Sequence, residues 1–217
     1  MTRDEFCKFH WEYYLVLEKD VLRTEQYVSF ELGDNYLYAG KDPENPENSL
    51  TFSNEYVKQY QAICSEVDVI MKSICRELGN TSAENMTGYT EVILTNWNSI
   101  KMQKVRMRRS ELQPFLNWEK LPAYKSPDWW KPYNNVKHER LCYYKMANLK
   151  NVLNALAGLY ILENYLVKYI GDRDQEIDVP NDISGLFEMV NYSTENIVRG
   201  KHTYALTKKD IDAICGF

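Results

Sequence analysis

His138 stands in the densest run of polar chemistry in the chain, Trp129-Trp130-Lys131-Pro132-Tyr133-Asn134-Asn135-Val136-Lys137-His138-Glu139-Arg140. At about 100° per residue, Cys142, Leu149, Leu153, Leu156 and Tyr160 form one apolar helical stripe, and its backward extension carries His138 with Asn134 at the edge. Lys137, Arg140 and Tyr144 fall on the adjoining flank. An imidazole and an amide facing inward near a helix start, with two cations alongside, make a pocket that binds a phosphate and moves a proton. In this reading His138 transfers the proton, Lys137 and Arg140 clamp the phosphate, and Asn134 orients the histidine or the substrate. The competing reading is structural, because a polar residue on an apolar stripe is as often a hydrogen-bonded core histidine.

Lys101, Lys104, Arg106, Arg108 and Arg109 form one positive block on an acidic chain. Beside the His138 pocket it would hold an RNA backbone; a charge run is more often a solvated face. Seventeen tyrosines and five tryptophans offer stacking surfaces, though their helical spacing places most of them in a core. There is no HExxH, Gly-rich phosphate loop, GxSxG or nucleotide fingerprint, so the common hydrolase, kinase and dehydrogenase classes find no support. Neither a metal site nor a cofactor is expected.

The elements that must position these residues are mostly helices. Thr2 and Glu5 make a capping-box pattern, and Phe6, Phe9, Tyr13, Val16 and Leu17 keep a helical period to about residue 28. Residues 33–49, with two prolines and several turn formers, read as an exposed acidic loop. Ser53 caps a strong helix with a stripe from Tyr56 through Tyr60, Val67 and Ile74 to Leu78, stopped by Gly79-Asn80. A third helix is predicted over Tyr89 to Met102, followed by a small strand-like element near 104–116. From Pro132 to about Ile170 there is no further proline and one glycine, which predicts one very long helix or two nearly collinear ones meeting near Met146. Leu141, Val152 and Leu159 add a second apolar edge to it, an expected surface for self-association. Residues 171–217 read as a packed tail with a capped helix from Thr207, and residues 1–170 as the main helical domain.

With 217 residues, 44% of them hydrophobic, the chain closes a sizeable core without disulfides or a structural metal. Against 31 acidic residues stand 26 Lys and Arg, a formal charge of −5, so any nucleic-acid contact must be a local patch. The five cysteines are odd in number and lack CxxC spacing, which implies free thiols and a reducing cytoplasm. The first ten residues have mixed charges and no apolar segment of a secretory signal, so the mature chain is expected to start there. The longest apolar run, Val152 to Leu162, is about half of the roughly 20 residues a membrane span requires.

The run WWKPYNNVKHER followed by ANLKNVLNALAGLYIL resembles the last long helix of HEPN-like proteins of bacteria and phages, and Tyr-Tyr-Leu-x-Leu-Glu of the first helix supports the resemblance over residues 5–170. It implies an all-α, often dimeric bundle with a long C-terminal core helix. It further implies an RNA-directed role, as a metal-independent ribonuclease or RNA binder of a defence or toxin system with an antitoxin or other partner protein. The family motif is an arginine, usually followed by a polar residue, with four to six residues between that arginine and a histidine. Upstream of His138 those positions hold Lys131, Pro132 and Tyr133, so Lys131 is the nearest cationic substitute. A literal match, Arg3-Asp4 with His10, is a secondary candidate. A non-catalytic helical interaction module is the alternative that the missing arginine leaves open.

Overall fold

The computed structural model describes residues 1–30, 32, 47–108 and 110–190. The loop expected at 33–49 lies mostly outside them, as do Arg109 and the helix expected from Thr207.

Thr2 caps the first helix: its hydroxyl accepts from the Glu5 N–H while the Glu5 carboxylate accepts from the Thr2 N–H. α1 (Arg3–Phe6) runs through a π-helical turn, Cys7–Trp11, into α2 (Glu12–Thr24). α3 (Asn54–Glu77) is capped by Ser53, which accepts from Tyr56 N–H. At its other end Gly79 takes φ +84, and the N–H groups of Gly79 and Asn80 return to the carbonyls of Arg76 and Cys75. That is a Schellman closure, for which glycine is the cheapest residue. α4 (Met86–Asn96) is shorter than expected, because Trp97 leaves helical angles and a 3-10 turn follows over Asn98–Met102.

β1 (Lys104–Met107) pairs antiparallel with β2 (Ser110–Leu112), and on its other edge with β3 (Glu188–Val190). The molecule is thus mainly helical with a small three-stranded sheet in the order β2-β1-β3. The third strand comes from the tail and was not expected. Val105, Met107, Leu112 and Met189 turn one face of the sheet inward.

The long C-terminal helix is divided. α5 (Trp130–His138) ends where Glu139 takes φ −135 and ψ 58; a short α6 (Arg140–Tyr143) and a 3-10 turn over Tyr144–Met146 follow. α7 (Leu149–Asp174) starts afresh from Asn148, whose side chain accepts from Asn151 N–H. α7 packs along α3, the most extensive helix pairing among the described residues. It is buried nearly all round: Gly158 admits the Trp129 indole against the helix backbone, and Trp129 itself donates to the Pro114 carbonyl. Val152 and Leu159 are consequently fully buried, which corrects the self-association surface expected on this helix. Of that edge only Leu141, 98% exposed, faces solvent. No described helix is long and apolar enough to cross a membrane.

The described part of the tail closes onto the first helix through Glu18. This buried carboxylate accepts from the Tyr14 and Ser184 hydroxyls and from the N–H groups of Gly185 and Leu186. Phe187 then packs on Tyr160 of α7.

Candidate functional site

On α5 the residues facing the core are Trp130, Tyr133 and Val136. Lys137, His138, Glu139 and Arg140 are exposed and Asn134 is half-buried. The inward-facing His138 expected from the stripe is therefore corrected. The break at Glu139 and the fresh cap at Asn148 reset the helical phase, so the stripe of α7 does not continue backward into α5. His138 sits at the end of α5, without a hydrogen bond or ion pair to any described group.

A different arrangement takes its place. Lys131, Asn134 and His138, at spacings of three and four, share one outward side of α5. Lys137 lies on the flank with its ammonium 5.6 Å from the centre of the Tyr133 ring. None of Lys131, Lys137, Arg140, Lys145 and Lys150 forms a salt bridge among the described residues. From Trp129 to Leu162 the chain holds those five cations and a single acid, Glu139. Half-exposed Phe52 extends the surface: the Lys145 ammonium stands 5.6 Å over its ring, and Tyr144 meets it edge-on at 5.6 Å. A cation beside an open ring suits the backbone and the bases of a single-stranded nucleic acid.

The described cations of the basic run stand beside carboxylates. Lys101 pairs with Glu119 at 2.8 Å, Lys104 with Glu111 at 3.4 Å, and Arg108 with Glu25 at 2.5 Å. Arg106 lies between Glu111 and Glu188, at 3.8 and 3.5 Å, the residues opposite it on the two neighbouring strands. Such cross-strand pairs hold the small sheet in register. Each described cation of the positive block thus takes part in a cross-strand or surface ion pair, Arg109 lying outside the described residues.

Beside α5 runs a groove of about 640 Å³, lined by Asp68 of α3, Glu84 and the start of α4, Tyr124, and Trp130, Lys131 and Asn134 of α5. The Tyr89 hydroxyl is buried, has no hydrogen-bond partner of normal geometry, and stands close to Asp68 and Glu84. Burial, with those carboxylates adding to it, pushes its pKa up to about 12, so it remains a donor at neutral pH. Asp68 and Glu84 lie on separate elements, and no local pattern marked them.

The secondary candidate separates into two unrelated roles. Arg3 donates twice to the Val179 carbonyl, at 2.7 and 3.1 Å. His10 lies in the π-helical turn, buried, with Nδ1 3.1 Å from Glu66 Oε1. Below that pair is Glu163 of α7, fully buried with neither carboxylate oxygen hydrogen-bonded. Burial first, and the nearby Glu66 second, push its pKa well above the ordinary 4.5. Among the described residues no three His, Cys, Asp or Glu side chains could together hold a metal ion.

Glu163 makes stability fall with pH. Above its ordinary value of 4.5 the folded chain holds a proton that the unfolded chain releases, so stability declines as pH rises through that value. Glu163→Gln keeps the shape and removes this proton linkage. At about pH 7.5 the variant should be more stable by about 1–2 kcal/mol, a few degrees in Tm, and at about pH 4 the two proteins should melt together. Thermal melts across that range check it; a variant that melts lower at the upper pH would show that the charged form is accommodated.

The described fold and this surface define a mainly helical protein with a small antiparallel sheet and an open cationic helix end. No protein-family model, no curated protein and no solved structure matches the chain.

Proposed function

We propose that the chain is a HEPN-like, RNA-directed protein that receives single-stranded RNA across α5, α6 and the turn before α7. The observation that carries this reading is the cluster of unpaired cations around His138 and the half-exposed Phe52, on a chain whose net charge is −5. Such a local patch binds phosphates by releasing counterions, whatever the charge of the rest of the surface.

Cleavage on this face uses the RNA 2′-hydroxyl. Its oxygen bonds to the adjacent phosphorus while the bond from phosphorus to the 5′-oxygen breaks, leaving a 2′,3′-cyclic phosphate. His138 moves the proton, and Lys137 and Arg140 balance the charge that gathers on the phosphoryl oxygens. Purified protein incubated with RNA in chelator should yield cyclic phosphate ends or their opened form, and a strand 2′-deoxy at the scissile position should stay intact. His138→Ala should abolish cleavage with a change in stability of no more than about 0.5 kcal/mol, because the side chain is exposed and unbonded. Loss of cleavage in chelator, or cleavage of the deoxy strand, would refute the mechanism.

A second reading is a non-catalytic helical module that binds a partner protein. Two observations favour it: Lys131 stands where the family motif has arginine, and Phe9, Tyr13 and Val16 form an exposed apolar row at spacings of four and three on the first helix. RNA left intact by a folded protein, with no binding, would select it.

A further inference from the structure

We infer that the groove between α3, α4 and α5 is a guanine pocket, which selects the RNA base next to the phosphate held by the cationic helix end; this rests on the RNA reading above. Asp68 and Glu84 would repel a phosphate, so on an RNA-binding surface this groove suits a base and not the backbone. Its lining combines two carboxylate acceptors, two donors in Lys131 and Asn134, and the rings of Trp130 and Tyr124.

Among the four bases guanine matches that set most fully. Its N1–H and N2–H lie side by side, as a carboxylate requires, and its O6 and N7 accept from an ammonium or an amide. Uracil and cytosine lack the N7 acceptor, and adenine offers an acceptor at N1 where a carboxylate would meet it. An unstacked base is held between aromatic faces and read on its Watson–Crick and Hoogsteen edges. A wholly cationic ligand fits less well, since Lys131 shares the same lining.

The test uses the full chain and short fluorescent RNA strands that differ only in one central base, with GMP, AMP, CMP and UMP as competitors. The guanine strand should bind about tenfold or more tightly than the other three. Inosine, which lacks the N2 amine, should lose most of that advantage, and GMP alone should compete. Glu84→Gln and Asp68→Asn should bring the guanine strand down to the level of the others without weakening them. Glu84 is exposed, so its substitution spares the core. Equal binding of all four strands would overturn the guanine pocket and leave the RNA reading standing; binding of none would overturn both.

Discussion

Gly171→Ala is expected to cost about 3 kcal/mol and to lower Tm by roughly 10 °C. A Cβ at this position would lie 2.6 Å from the Asp178 Cα and 2.8 Å from the Ile177 carbonyl oxygen. Both are backbone atoms, so no rotamer change relieves the overlap. The Gly171 carbonyl also accepts from the N–H groups of Gln175 and Glu176, where α7 closes through a left-handed Gln175. The segment that would have to move carries Asp178, paired with Lys168 at 3.1 Å, the Ser184–Leu186 donors around Glu18, and β3. Gly88 is a fitting control, since an added Cβ there comes no closer than 3.3 Å to Ala83 at the start of a short helix. Thermal melts of the two variants should differ by several degrees. A Gly171→Ala protein that melts with the wild type would mean that residues 177–178 do not seat against α7.

Much of the helical framework was legible because its signals are local. Thr2 with Glu5 and Ser53 before Asn54 announced two helix starts, and Gly79 announced a stop. The junction before α7 was legible as one of two alternatives, a pair of helices meeting near Met146, but the break at Glu139 was not, since glutamate does not disfavour a helix strongly and no proline or glycine marks the place. A helical period read across that break put His138 into the core, when it belongs on the surface. β3 escaped notice because three residues pair with a strand some eighty positions earlier, and pairing at that distance leaves no local pattern. Separations of 18 to 83 residues along the chain likewise hid the acids that pair with Lys101, Arg106 and Arg108, namely Glu119, Glu188 and Glu25. The scarcity of acids between Trp129 and Leu162 was a readable sign of the cationic face.

In the proposed function the RNA-facing charge lies on α5 and α6 and not on the basic strand. Lys137 and Arg140 are exposed and form no salt bridge among the described residues, so each is available to displace one counterion from a phosphate. Lys104 and Arg106 already sit 3.4–3.8 Å from carboxylates of the neighbouring strands. The most direct measurement is the affinity for a single-stranded RNA across a range of salt concentrations, made on the wild type and on two double variants. Lys137→Ala/Arg140→Ala should weaken binding and flatten the plot of log K against log salt by about 1.4, from roughly 0.7 per phosphate contact on single strands. Lys104→Ala/Arg106→Ala should leave that slope unchanged. A slope that flattens in the strand variant and persists in the α5–α6 variant would place the RNA on the strand instead.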